Sequence, residues 1–375
     1  MRPETRVAFN AYAAQIAQLN GIPVAEVTST KFAVAPSVEQ KLEEVIQHSH
    51  EFLELISIVP VLEQTGQKVG IGTVRTMASR TNTAAGNRRT PTDPTDSSVK
   101  DTYFCRKTDF DSAIPYAKAD AWRHRPEFQT LMRDAITKQQ GRDRIMIGWN
   151  GTSAAVATDR GANPLLQDVN FGWLYKIRTN APAQVLNDGD LTVYTNGANN
   201  PGLKKIYVKA GVTLFDESLL NGATAKADYS SLDALVLDAK SLIPEWHRGD
   251  TNLVVIVGHD LVDDKYFNIA QQTGATATEV EATDRIIRST KQLGGLPAVR
   301  VPFFPGNAIL ITTLENVAIY VQEGTRRRQL KDEPALDQIE NYESVNEDYI
   351  VEDYELTSLV ENIVIGEAPA RAVAP

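Results

Sequence analysis

The segment from Glu63 to Asp101 constrains this chain more than any other, because over about forty residues the apolar content gives way to Gly, Thr, Asn, Ser and paired Arg. Only Lys68 to Val74 inside it reads as a strand. Connections longer than about 12 to 15 residues are uncommon in compact domains, so a polar segment of this length is either disordered or functional. An extended hairpin meets both conditions. Its return limb is expected over Thr102 to Ala117, where Phe104 and Phe110 alternate with polar neighbours such as Cys105 and Asp109.

On either side of this segment the periodicity is helical. Phe9, Tyr12, Ile16 and Leu19 share one face of a helix over residues 4–20, and Asn20-Gly21 supplies a left-handed stop. Residues 22–31, with Pro23 and several Thr and Ser, read as a linker, so the first thirty residues look detachable. A second helix is expected from Pro36-Ser37, with Ser37 and Gln40 at capping-box spacing, Val38, Leu42, Val45, Leu53 and Ile56 on one side, and Pro60 as its end. The longest helix opens at Pro126 and runs through Phe128, Leu131, Ala135 and Ile136 to Trp149.

Beyond residue 150 a polar run leads to a helical stretch over Val169 to Ile177. The Asn- and Gly-rich segment from Asp188 to Asp228 is expected as a surface hairpin, with Leu203 to Val208 as one strand. A mixed α/β unit follows: helices Ser231–Leu242 and Leu261–Gln271 among strands Leu253–Gly258, Ala298–Phe303, Ala308–Thr313 and Val317–Val321. Two long strands close the pattern, Gln338–Tyr349 and Tyr354–Ile365.

Most chemistry is excluded by what the chain lacks. The longest clean apolar run, Leu253 to Val257, falls far short of the roughly 20 residues of a spanning helix, so no membrane role is expected. Arg2 and Arg6 precede no apolar stretch, which argues against a secretory signal. The single cysteine, Cys105, reads as a buried or half-buried thiol. His48, His50, His124, His247 and His259 lack metal-ligand spacing, and no phosphate loop or dinucleotide turn is present, so no cofactor is expected.

Asp260, after the strand ending at Gly258, reads as a helix cap more simply than as a catalytic group, and Gly151-Thr152-Ser153 reads as a loop. Glu347, Asp348, Glu352, Asp353 and Glu355 are expected to line a solvated strand face, since a calcium loop's spacing and central glycine are missing. A net charge of -10 argues against a dedicated nucleic-acid binder. On that acidic background stand two basic knots, Arg88-Arg89 and Arg326-Arg327-Arg328. Without interleaved aromatics they point to subunit contacts, where arginine pairs two-point with carboxylates.

Several ordered strings carry a resemblance. They are Glu4-Thr5-Arg6 with Phe9-Asn10-Ala11-Tyr12, Leu19-Asn20-Gly21-Ile22, Asn163-Pro164 with Leu166-Gln167-Asp168-Val169, Ser231 to Val236, Leu253 to Gly258, Leu296 to Pro302 and Glu340 to Ser344. Through them the chain resembles, nearly end to end, the major capsid proteins of tailed phages of the coliphage P2 type. The Asp188 to Asp228 segment fits least well.

The resemblance implies an α+β subunit of the Hong Kong 97-like capsid fold. Residues 1–31 would be a maturation and scaffold-contact segment, 32–59 an N-terminal arm and 60–117 the extended loop hairpin. Residues 118–167 would hold the peripheral domain with its spine helix, 168–326 the axial domain, and 327–375 returning peripheral strands and a tail. It further implies hexamers and pentamers of this chain in an icosahedral head around double-stranded DNA held non-specifically, built in the host cytoplasm with a scaffolding protein, a prohead protease and a portal protein. Family members lose an N-terminal segment, and Lys31, Phe32 and Ala33 stand at the corresponding place. Two other classes stay open: an encapsulin-type compartment, and a two-domain enzyme using His259 and Asp260.

Overall fold

The computed structural model describes residues 1–69, 72–73, 78, 80, 88–89, 95–96, 100–122, 128–189, 191, 194–195, 198–199, 204–209, 227–261 and 292–368. The chain opens with α1 (Pro3–Asn20), where Pro3 and Glu4 suit a first helical turn and its dipole. It ends at Gly21, whose φ of 65° lets the next N–H, that of Ile22, bond back to Ala17 O. Phe9, Tyr12 and Ile16 are buried, while Leu19 stays 57% exposed. The expected linker over 22–31 is instead partly helical: α2 (Val24–Ser29) follows Pro23 and buries Val27 completely. Tertiary burial of that one valine overrides the poor helix propensity of its Thr and Ser neighbours.

After β1 (Phe32–Ala33) the expected single helix divides into α3 (Pro36–Gln47) and α4 (Glu51–Leu55). Ala35 is the N-cap and makes no side-chain cap bond, so the Ser37–Gln40 capping box does not form. Pro60 lies inside β2 (Ser57–Val61), an edge strand of the large sheet, where a missing N–H is tolerated.

The described parts of the polar segment form an antiparallel ribbon. In it β3 (Thr65–Val69) pairs with β6 (Lys100–Phe104), and β4 (Gly72–Thr73) with β5 (Thr95–Asp96). Its return limb is shorter than expected, because β7 (Arg106–Asp109) and β8 (Ser112–Pro115) leave the ribbon for the main sheet. The alternation is also reversed at the junction, where Cys105 is buried against Ala318, Tyr320 and Ile350 and Phe104 is 44% exposed.

Two helices follow, α5 (Tyr116–Trp122) and α6 (Phe128–Asn150); Pro126 lies outside the described residues. At 1.5 Å per residue α6 is about 34 Å long. It passes α7 (Trp173–Asn180) so closely at Gly148 that any Cβ there would stand 2.2 Å from the Trp173 ring. Trp149 and Trp173 meet edge to face at 4.8 Å, and Phe52, Phe304 and Tyr349 complete this aromatic centre.

The second half begins with β9 (Val185–Leu186), the hairpin β10 (Tyr194–Thr195) and β11 (Ala198–Asn199), and β12 (Ile206–Val208). Then come α8 (Leu232–Ser241), capped by the Ser231 hydroxyl accepting from Ala234 N–H, and α9 (Glu245–Arg248). The strands β13 (Val254–Val257), β14 (Gln292–Leu293), β15 (Leu296–Val299) and β16 (Ile309–Thr312) precede β17 (Val317–Gln322). The helix expected from Leu261 lies outside the described residues past 261. Finally come β18 (Arg327–Glu333), β19 (Gln338–Val351), β20 (Ser358–Val360) and β21 (Ile363–Ile365).

Two sheets organise these pieces. The larger runs β1-β18-β19-β17-β2, with β7 and β8 also on β19; the other runs β14-β15-β13-β16-β20-β9. The second sheet is buried on both faces. Val255, Val257, Ile309 and Ile311 pack under α8, whereas Ile256 and Leu310 point into the aromatic centre shared with α6 and α7. A strand buried on both sides explains the unbroken apolar run in the sequence. The strand read from sequence as the last of that unit, Val317–Val321, belongs as β17 to the other sheet, and the second long C-terminal strand is broken into β20 and β21.

Candidate assembly interface

The basic residues singled out by sequence take different positions. Arg88 and Arg89 are exposed, between β4 and β5 of the ribbon, and Arg327 is exposed opposite Ala33 in the β1–β18 ladder. Arg328 lies half-buried, donating to Asn341 Oδ1 at 2.8 Å and to the Tyr12 hydroxyl at 2.9 Å. Arg326 turns inward and is fully buried, pairing with Glu343 and Glu43.

Arg326 belongs to a buried ion cluster that sequence reading missed. Arg144, on α6 and also fully buried, donates from Nη1 to Glu43 at 2.6 Å and from Nε to Glu347 at 2.9 Å. Tyr349 donates to the other Glu347 oxygen at 2.9 Å. Burial pushes the Glu43 carboxyl up, but the guanidiniums of Arg144 and Arg326 outweigh it and hold the group down at about 2. The cluster thus ties α3, α6 and β19 to the residue that enters β18. One signal was available: Glu43 and Glu39 lie one and two turns from Ile46, on the side of α3 that the helix buries.

The acidic strand face is likewise corrected. Glu347 and Asp348 are buried, not solvated, because β19 is covered on both faces. Asp348 accepts from Lys176 Nζ at 2.8 Å and from Phe104 N–H at 3.0 Å, which pins the root of the ribbon. Lys68 Nζ on the outgoing limb bonds Val351 O at 2.8 Å, and Tyr103 packs on Tyr320 at 5.2 Å. Arg106 is sandwiched between the rings of Phe104 and Phe171 at 5.0 and 4.8 Å. The ribbon therefore leaves the body from a rigid base. Burial pushes the neighbouring Cys105 thiol up to about 12, so it is an inert core group.

A groove of about 760 Å³ runs between α6, β7, β8 and the loop over 155–169. On its walls Thr108 Oγ1 and Gln140 Oε1 are buried without a hydrogen-bond partner among the described residues.

At the N-terminal link, Thr30 and Lys31 are exposed and lie between α2 and β1, while Phe32 is buried and pairs with Arg328. Among the described residues no group of three or more metal-ligating side chains is present, and no helix is long and apolar enough to cross a membrane.

Comparison with known proteins shows what the chain is similar to. The family model "Phage major capsid protein, P2 family" matches residues 8–363. The chain is 45% identical to the capsid protein of Escherichia phage P2, covering 100% of this chain and 99% of that one. It is 39% identical to the major capsid protein of Serratia phage KSP20, covering 97% of each. A chain in a solved procapsid of satellite phage P4 that includes its size determination protein superposes with a TM-score of 0.73 at 43% identity, over 98% of this chain and 99% of that chain.

Proposed function

This chain belongs to the P2 family of phage major capsid proteins, and from that premise we propose which of its parts make the contacts of the shell. The protein is a structural subunit with the Hong Kong 97-like fold that assembles with copies of itself into the icosahedral, DNA-enclosing capsid of the virion, and it is not an enzyme. The enzyme and encapsulin-type readings give way to this assignment.

Within the fold, α6 is the spine helix, α3 and α4 form the N-terminal arm, and the β3–β6 ribbon is the extended loop. The six-stranded sheet with α8 is the axial part. One observation carries the assembly reading: the ribbon pairs with no other strand among the described residues, yet its root is pinned by Asp348, Lys68 and Arg106. An arm rooted firmly at its base serves contacts that continue from subunit to subunit. Such contacts in rings of six and five reach the size of obligate interfaces, on the order of 2,000 Å² or more. The ribbon with Arg88 and Arg89, the exposed Arg327 and the groove beside α6 are the surfaces assigned to neighbouring copies.

The exposed Thr30–Lys31 link is where a prohead protease would cut, since Phe32 beyond it is held in a strand. A scaffolding protein and a portal protein are the further partners implied for assembly. The net charge of -10 suits a wall that lets packaged duplex DNA slide. Negative-stain microscopy of the chain made with its scaffold and protease should show closed shells, and N-terminal sequencing of subunits from mature particles should begin between residues 28 and 34. Amorphous aggregates would refute the assembly assignments, and an intact Met1 in mature particles the processing.

A further inference from the structure

The helices α1 and α2 form a docked unit that meets the body at a dense contact and leaves it through two exposed residues. Phe9, Tyr12, Ala13, Ile16, Ala17 and Val27 bury their side chains in one cluster with Phe32, Val34, Tyr116, Ala119, Leu330 and Ile339 of the body. Polar contacts surround this patch. Thr5 Oγ1 donates to Asp120 Oδ1 at 2.5 Å, the Arg2 N–H reaches the same oxygen at 3.1 Å, and Asn20 Oδ1 accepts from Ala35 N–H at 3.0 Å. The Tyr12 hydroxyl accepts from Arg328 Nη2 at 2.9 Å. The opposite side of α1, with Val7, faces solvent, and Leu19 lies exposed at the edge of the contact. An apolar core ringed by polar contacts is the anatomy of a helix-in-groove recognition site.

We infer that residues 3–29 are a separable helical ligand of their own subunit, seated on a peptide-binding face of β1, α5, β18 and β19, and that they remain bound after the link at Thr30–Lys31 is cut. The inference deepens the processing reading and rests on it for the cut. While the link is intact, a tether of two residues holds the ligand at a millimolar-range effective concentration. Scission turns the contact into a bimolecular one without removing any of its partners. Scission and departure are then distinct events, and departure depends on dilution or on a competing helix.

The test uses the full chain with a specific protease site inserted between Thr30 and Lys31, cut under native conditions. On size-exclusion chromatography at micromolar concentration the N-terminal fragment should co-elute with the body, and mass spectrometry of the peak should find both. Ile16→Asp buries a charge in the cluster and should weaken retention by about tenfold or more. Tyr12→Phe keeps the fold, loses only the hydroxyl's bond to Arg328 and should speed dissociation several-fold, whereas Val7→Asp on the solvent side should change nothing. Separation of the fragment as soon as the link is cut, or equal retention in all three variants, overturns the inference. Because the site is inserted, the result is independent of whether particles cut their natural link; an intact Met1 in mature particles would remove the processing reading and leave the retention result standing.

Discussion

Glu43 on α3 and Arg144 on α6 meet in a two-point contact, Nη1 at 2.6 Å and Nη2 at 3.1 Å, and the same carboxylate also accepts from Arg326. Both guanidiniums are fully buried, so neither has water to fall back on if Glu43 is removed. Without Glu43, Arg144 keeps Glu347 and Arg326 keeps Glu343, but each buried guanidinium loses its second carboxylate, a loss of about 1.5–3 kcal/mol for hydrogen bonds to charged groups. Glu43→Ala should lower unfolding stability by that order in a urea titration. A loss under about 1 kcal/mol would mean α3 is held by its apolar residues alone.

Glu39 and Glu43 lie one helical turn apart and shift in opposite directions, so their pH effects differ in sign. Glu43 falls from its ordinary 4.5 to about 2, so its contribution is complete above pH 4.5 and is lost as pH falls toward 2. Burial raises Glu39, outweighing the Gly324 N–H it accepts and the charge of Arg326. Its preference for the protonated form helps below its ordinary value and is lost as pH rises through the raised one. Glu39→Gln should therefore be at least as stable as wild type at pH 7, and Glu43→Gln clearly less so. Thermal melts across pH 3 to 8 compare the two; a reversed order contradicts the assignment.

Gly148 is required by the approach of α6 to Trp173. A methyl group there would stand 2.2 Å from the indole ring, and the ring is packed against Trp149, Phe52 and Tyr349. Gly148→Ala should destabilise the subunit by about 1–3 kcal/mol, despite alanine's better helix propensity. An unchanged denaturation midpoint would show that the two helices can move apart freely.

Removing the ribbon should separate folding from assembly. Deletion of Thr65 to Ser97 leaves both sheets and the aromatic centre intact, so circular dichroism should still report a folded subunit, while microscopy finds no normal shells. Arg88→Glu with Arg89→Glu should leave stability within about 0.5 kcal/mol, since both are exposed, and reduce the yield of shells. Normal shells from either variant would move the contact elsewhere.

Some of this architecture was legible before any coordinates. The 3.6 period with a Gly21 stop marks α1, the apolar run at Leu253–Val257 marks a doubly buried strand, and the long polar segment marks the ribbon. These are local signals, carried by residues within one or two turns of each other. The strand β18 was missed because Arg326 to Arg328 look like a surface knot, and α2 because Val27 is its sole buried residue.

What the amino-acid order determined by itself was the kind of subunit: helices with one apolar side, strands at alternating spacing, an arm too long and polar for a core, and strings shared with a capsid family. What only the tertiary structure decided was which charges face outward. Arg326 and Arg327 are neighbours in the chain, yet one is buried against Glu43, distant in sequence, and the other lies in solvent. In a strand, successive side chains point to opposite faces, and the sign of a charge carries no information about which face will be covered. That depends on where α3 and α6 come to rest, and so the same basic cluster supplies both a lock for α3 and a residue exposed to solvent.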